Sequence, residues 1–397
     1  MLPVVLLLLF ASGWAANHFT AMLPVLAGSE HLSHTALDGA FGIYAVGLLP
    51  GLLGGGSLSD RLGRRPLLLA GAAIAGLGNL ALLLWHDEMG IFIGRLIVGA
   101  GVGVAMSAGT AWSADLGGGS GSVLAGVALS AGFGCGPLVS GLLAQFFGSA
   151  AYAPFVVTVA LSAAAVLVGI VFSDVRTDSE RAGPVPAAAG PAADDGDTFA
   201  ALSSALPMAL WVFSCATVAM VTMAERMQAR FAGPWIPGVA ATVALVAGVT
   251  VQMVARRRGW GPPAGVAGAA IAATGFGLVA AAGATPALPV FLLTAAVLGI
   301  AYGLCLREGL IDVETLAPPR LRGTLTGVFY SVTYVGFGVP LLLVAIRPAV
   351  GITAPVLVLT ALAAAAAVLR AIQIRARPRM PATGSTLAID RVVVDRA

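Results

Sequence analysis

The chain is built of apolar runs of about twenty residues, and this constrains its fold more than any other feature. A helix rises about 1.5 Å per residue, so a run of that length crosses a hydrocarbon layer of about 30 Å. Twelve runs are read here: Val4–Leu26, Leu37–Leu58, Pro66–Trp85, Met89–Thr110, Ser122–Phe147, Ala153–Phe172, Leu202–Met223, Trp235–Val254, Ala264–Ala282, Leu288–Ile311, Gly323–Ala345 and Ile352–Ile372. They are continuous rather than alternating, which argues against a transmembrane barrel. Composition agrees, since 58% of the 397 residues are hydrophobic and 10% are charged, against about 25% charged in a soluble domain. The expected fold class is all-α and integral to the membrane.

Between the sixth and seventh runs the segment 174–200 is rich in Pro, Gly, Ala and acids and reads as a hydrophilic linker. The expected organisation is a six-helix bundle over 1–173, a cytoplasmic linker over 174–200, a second six-helix bundle over 201–376 and a cytoplasmic tail over 377–397. Short cytoplasmic loops retain arginine. Here Arg61, Arg64 and Arg65 follow the second run, Arg256 to Arg258 the eighth, Arg320 and Arg322 the tenth, and Arg370, Arg375, Arg377 and Arg379 the twelfth. With twelve spans all of these fall on one side, which predicts that both termini are cytoplasmic in an inner (plasma) membrane. The seventh run is the hardest to end, because it meets Glu225, Arg226 and Arg230. The first run is read as a retained span, since no basic residue precedes it and no small-residue cleavage site stands out after it.

Several chemistries find no support. The three cysteines, Cys135, Cys215 and Cys305, sit inside runs and form neither a disulfide framework nor a zinc spacing. No HExxH, GxSxG or P-loop spacing occurs, so neither an enzyme nor a bound cofactor or metal is expected. The formal net charge of +3 reflects the arginine asymmetry and does not point to nucleic acid.

The two halves echo each other. GFGCGPLVSG (Gly132 to Gly141) in the fifth run has its counterpart in YVGFGVP (Tyr334 to Pro340) in the eleventh, and DRLGRR after the second run has a degenerate counterpart, ARRRGW, after the eighth. Such duplication points to a secondary transporter with its site between the halves near the bilayer midplane. Pro137 cannot donate to the carbonyl of Phe133, which predicts a kink. Gly132, Gly136 and Ser140 are spaced four apart and form a small stripe on which a neighbouring helix can come close. That stripe serves helix packing as readily as transport.

Gly56-Ser57-Leu58-Ser59-Asp60-Arg61-Leu62-Gly63-Arg64-Arg65 resembles the signature between the second and third helices of the major facilitator superfamily. GRLIVGAGVG, with Arg95 four residues before Gly99, resembles the family's intramembrane arginine motif, with Val98 where a polar residue is usual. Gly132, Gly136, Pro137 and Gly141 resemble the fifth-helix signature of drug/proton antiporters, with Ser140 in place of a glycine and Val123 where an earlier glycine is expected. The resemblance implies two pseudo-symmetric six-helix bundles, alternating access, and a central cavity lined by the first, fourth, seventh and tenth helices. It also implies that Gly56, Asp60, Arg61, Gly63, Arg64 and Arg65 form a conformational latch, with Asp60 meeting the start of the eleventh helix at Gly323 and Thr324.

An ionisable group at the centre of a membrane helix costs about 2.5 to 3.5 kcal/mol on insertion scales, so it faces a partner or a cavity. Asn17, His18, Arg95, Tyr302, Arg307 and Glu308 are the proton-coupling or cavity candidates. An imidazole titrates near neutral pH, so His18 is read either as a proton carrier or as a neutral ring bonded to the backbone. Arg307 and Glu308 are read either as cavity residues or as interfacial side chains that snorkel. Trp14, Tyr44, Trp112 and Tyr302 offer stacking surfaces, and Met106, Met220 and Met223 an adaptable apolar lining. With few polar side chains for a sugar-like ligand, the reading is a monomeric, proton-coupled exporter of small amphipathic compounds. The alternatives are a proton-coupled uptake symporter for a small polar metabolite and a non-transporting receptor of the same fold.

Overall fold

The computed structural model describes residues 1–29, 32–147, 152–172, 196–318 and 321–376. Most of the expected linker and the whole of the tail lie outside these. Twelve helices are long and apolar enough to cross a membrane: α1 Leu2–Gly28, α2 Gly39–Leu62, α3 Arg64–Leu84, α4 Glu88–Gly117, α5 Leu124–Phe146, α6 Ala153–Phe172, α7 Thr198–Gln228, α8 Trp235–Arg257, α9 Pro263–Ala281, α10 Leu288–Leu316, α11 Thr324–Val350 and α12 Thr353–Ala376. Helical backbone runs from Glu88 to Phe146 through the glycine-rich corner between α4 and α5. No strand occurs among the described residues.

Local chemistry sets the ends. Ser33 Oγ accepts from the Ala36 amide at the start of α2, and Asp87 Oδ1 accepts from the Gly90 amide at the start of α4. Asp197 accepts from the Phe199 and Ala200 amides, so the second half starts ahead of the apolar run that begins at Leu202. At the α2–α3 corner Gly63 has φ 94°, a left-handed value that disfavours any residue with a Cβ. The seventh helix passes through its charged stretch to Gln228, with a π-helical turn at Val218–Met223. Arg226 is held there by donating Nη1 to Val279 O at 2.7 Å.

Within the first half α1 packs on α5 and α6, α2 on α4, and α3 on α4 and α6; within the second, α7 packs on α10 and α11, α8 on α10, and α9 on α10 and α12. Small residues set these distances. A Cβ on Gly99 of α4 would meet the Tyr44 carbonyl of α2, and one on Gly132 of α5 would meet the Phe10 carbonyl of α1. In lipid, where no hydrophobic difference drives helices together, such backbone approach is what the interface gains. The halves meet along α5 against α8 and α2 against α11, the same pair of contacts with the halves exchanged.

The close contacts between α5 and α8 lie away from the arginine-rich end. Gly141 faces Pro234, Pro137 faces Gly238, and Thr242 Oγ1 donates to Gly134 O at 3.2 Å. On the same side Phe41 and Tyr44 of α2 stand 6.1 and 6.0 Å from the Phe337 ring of α11. Toward the arginines α2 touches α11 through Leu53 beside Gly327, beyond which Leu58, Asp60 and Leu62 are exposed.

Candidate functional site

A pocket lies between the halves, lined by Ala16, Asn17, Tyr44, Phe133, Phe213, Ala216, Thr217, Met220, Leu245, Tyr302, Tyr334 and Phe337. Both halves contribute, the lining is rich in aromatic rings, and no charged side chain is among it. Its free space is ≈ 30 Å³, far below what an organic ligand fills, so a ligand enters only as side chains part. Phe213 stands 4.6 Å from Tyr334 and 4.9 Å from Phe337, and these rings with Tyr302 form one wall.

Two hydrogen bonds tie this pocket to the proline breaks. Pro137 has no N–H to give Phe133 O, and that carbonyl instead accepts from Asn17 Nδ2 at 2.7 Å. Asn17 Oδ1 in turn accepts from Thr20 Oγ1 at 3.0 Å. In the other half Pro340 cannot donate to Gly336 O. The backbone tightens there into a short 3-10 turn at Gly336–Gly338, and Gly336 O accepts both from the Val339 amide and from Thr217 Oγ1 at 3.0 Å. The first helix of each half thus supplies a polar side chain to the carbonyl that a proline frees on the fifth helix of that half. The sequence marked both proline segments and Asn17; Thr217, inside an apolar run, carried no signal.

Of the six cavity candidates, Asn17 and Tyr302 line the pocket and four do not. Arg95 is 1% exposed and stands behind Tyr44. Its guanidinium lies 4.3 Å from the Tyr44 ring, 4.7 Å from Phe19 and 5.6 Å from Phe41. It donates Nη1 to Ala16 O at 2.9 Å and Nε to Ala40 O at 3.4 Å. Carbonyls and ring faces, rather than a described carboxylate, hold this charge.

His18 turns the other way, because successive residues on a helix point about 100° apart. It is fully buried against α3 and α6, with Nε2 2.7 Å from Asn79 Oδ1 and its ring edge-on to Phe155. Asn79 Nδ2 donates to Ala15 O and Ala75 O, so its oxygen faces the histidine and Nε2 carries the proton. The expectation of a cavity-facing His18 is corrected accordingly.

Arg307 and Glu308 form an ion pair with each other, and Arg307 Nη2 donates to Trp260 O at 3.1 Å. Glu308 is 2% exposed on the side of α10 that faces α9, where its Cβ lies next to Gly265. One turn further, Asp312 pairs with Arg370 of α12 at 2.5 Å, and both are buried. These charges are packed into the back of the second half and not into the cavity, as their places on the helix face away from Tyr302 require. Arg370, read from sequence as a topology signal, is the buried partner. Removing one member of a buried pair costs about 3–5 kcal/mol. Arg370→Met is therefore expected to lower the melting temperature in detergent sharply, and Arg370→Met with Asp312→Leu to recover most of the loss.

The latch residues pair within their own half. Arg64 reaches Asp60 at 2.7 Å and Asp115 at 2.9 Å, and Arg65 Nη2 donates to Ile170 O at 3.1 Å. The Asp60 side chain is 62% exposed, and Thr324 is exposed as well; the side chains of Arg322 and Gly323 lie outside the description. Gly56 approaches Ser107 of α4. In the fifth-helix motif Gly132 and Gly136 pack on α1 beside Trp14, whereas Pro137 and Gly141 meet α8 across the halves.

A family model described as Major Facilitator Superfamily matches residues 5–340. Among curated proteins, a Multidrug resistance protein MdtL of Klebsiella pneumoniae is 34% identical over 98 residues, covering 25% of this chain and 24% of that protein. A 3-(3-hydroxy-phenyl)propionate transporter of Escherichia coli is 41% identical over 66 residues, covering 17% of this chain and 16% of that protein. The chain thus spans about a quarter or less of the length of the curated relatives it matches. Among solved structures, a POT family transporter in complex with 5-aminolevulinic acid superposes with a TM-score of 0.73 at 15% identity, over 94% of this chain and 95% of that one. A second, with a thioalcohol conjugated peptide, gives 0.74 at 15%, over 94% and 96%. At that identity the likeness is one of fold.

Proposed function

The chain belongs to the Major Facilitator Superfamily and is a multi-pass membrane transporter of that family, and from that premise we propose that it exports small amphipathic compounds by alternating access, driven by protons. The observation that carries the reading is the central pocket: both halves line it, aromatic rings and Met220 dominate it, and of its polar groups Asn17 and Thr217 are engaged with backbone carbonyls, which leaves tyrosine hydroxyls. An apolar body with a few polar atoms suits such a lining, and a sugar-like ligand would find too few free partners. The relatives named for multidrug resistance and for phenylpropionate transport support small organic cargo. The arginine-rich end is assigned to the cytoplasm by the positive-inside rule. On that assignment the structure is closed on the outer side, and Asn17 and Tyr302 are the pocket's polar contacts from α1 and α10.

Reconstitution tests this. In proteoliposomes with an imposed pH gradient, a panel of lipophilic cations, neutral antibiotics, aromatic acids and sugars is expected to yield gradient-driven flux of at least one of the amphipathic classes and none of the sugars. Collapse of the gradient by an ionophore should stop that flux. Sugar movement alone, or ligand binding with no flux of anything, would remove the exporter reading. Reporter fusions after Arg65, Arg258 and Arg379 should all report cytoplasm, and a periplasmic signal from any of them would reverse the assignment.

A further inference from the structure

The pocket has an electrostatic sign. Its lining holds no charge, yet the Arg95 guanidinium sits 4.3 Å behind the Tyr44 ring, and Tyr44 is part of the lining. No described carboxylate pairs with Arg95. The nearest described acid along the α7 wall, Glu225, is five residues past the lining residue Met220, about 7.5 Å at helical rise, and faces Arg347 at 3.8 Å. A ligand in the pocket therefore feels a positive charge one ring away through a medium of low dielectric.

Two effects oppose each other for a cationic ligand. The faces of the six rings attract it, but one of the six, Tyr44, is already engaged by Arg95. Against this stand the loss of the ligand's hydration in a site with no counter-charge among the described residues and repulsion from Arg95. The penalties are the larger. A carboxylate entering the same site loses hydration too, but gains the attraction of Arg95, and a neutral ring loses little.

A second observation points at the ligand itself. Tyr44 Oη is buried and has no hydrogen-bond partner among the described residues, a state that costs free energy unless something fills it. Asn17 and Thr217, by contrast, are satisfied internally: Asn17 Nδ2 by Phe133 O, and Thr217 Oγ1 by Gly336 O and Phe213 O. The Tyr44 hydroxyl is left as a donor in search of an acceptor.

Resting on the central pocket as the transport site, we propose that it selects planar aromatic compounds that carry a hydrogen-bond acceptor and are uncharged or anionic, and that it rejects organic cations. Tyr44 Oη is the donor to that acceptor, and Arg95 sets the sign.

The test uses the full chain in proteoliposomes and three probes with one ring and one chain length: 3-phenylpropionate, 3-phenylpropanamide and 3-phenylpropylammonium. Binding is measured by competition and flux by uptake at pH 7.4. The anion and the amide are expected to bind at least about tenfold more tightly than the ammonium. Tyr44→Phe keeps the ring and removes the donor, and should weaken the anion and the amide by about two- to tenfold while leaving the ammonium unchanged. An ammonium that binds as tightly as the amide, or a Tyr44→Phe variant that elutes as wild type with unaltered affinities, overturns the proposal. Tetraphenylphosphonium serves as the dividing control: if it is carried and the anion and amide are not, the transport reading stands and this inference falls. If neither it nor any of the three probes binds or moves, both fall.

Discussion

Asp60→Asn is expected to insert and fold like the wild-type chain and to transport at less than about a tenth of its rate. The first half of that result follows from magnitudes. Asp60 and Arg64 are 2.7 Å apart, but the carboxylate is 62% exposed, and exposed pairs contribute at most about 1 kcal/mol. Its site at the last turn of α2 is also unfavourable for an acid, because the helix dipole already presents partial negative charge there. Stability thus gives no strong reason for an aspartate at this corner. The proposed reason lies in the other conformation. With the halves closed at the arginine-rich end, Asp60 would meet the start of α11 near Thr324, where the dipole is positive and free amides await an acceptor. A charge-assisted bond of that kind contributes about 1.5–3 kcal/mol, a ten- to hundredfold shift between states. Losing it should trap the carrier in the form seen here. Cysteine labelling from the two sides of the cavity should show greater access from the arginine-rich side. Wild-type flux with wild-type labelling would leave Asp60 without a conformational role.

The twelve spans were legible because length and hydropathy suffice for them, and the α2–α3 corner because Gly63 occupies a place that turn geometry dictates and Asp60 and Arg64 interrupt two apolar runs with charge. Facing direction was not legible. Asn17 and His18 are neighbours, both polar in an apolar run, and sequence alone ranked them together, yet one lines the pocket and the other is bonded to Asn79 on the far side. Only the packing of α3 and α6 decides between them. The pairing of Asp312 with Arg370 spans 58 positions, from Asp312 to Arg370, and Asp312 fell one residue beyond the run that ended at Ile311. The spacing of Glu308 and Asp312, four apart and so on one helix face, was the available signal for a buried charged surface on α10. Phe213, Tyr334 and Phe337 are ordinary apolar residues in their helices, and their convergence is tertiary information.

Asn17→Leu should lower the melting temperature and stop transport, and the two effects should separate when Pro137 is also replaced. In the variant, Phe133 O is left part-buried with no side-chain donor, at about 1–3 kcal/mol, or roughly 2–12 °C if the scaling of domains of 150–250 residues applies. Thr217→Val removes the corresponding bond in the second half, but Gly336 O keeps the Val339 amide, so its cost should be the smaller of the two. Pro137→Ala returns an N–H to the α5 ladder exactly where Phe133 O lacks one. It stabilises a helix in any background, so the informative quantity is a double-mutant cycle: the gain from Pro137→Ala must be larger in Asn17→Leu than in the wild type. Equal gains would show that Asn17 does not stand in for the missing amide. Transport should not return with stability. A continuous α5 no longer leaves its carbonyl to be held by α1 and released, and the break beside the pocket is what allows the part of α5 that meets α8 through Pro137 and Gly141 to move against the rest. Full recovery of flux in the Asn17→Leu/Pro137→Ala chain would mean that the broken ladder is packing alone. Persistent loss, with the melting temperature restored, would place the Phe133 carbonyl and the Asn17 side chain that holds it among the parts transport requires.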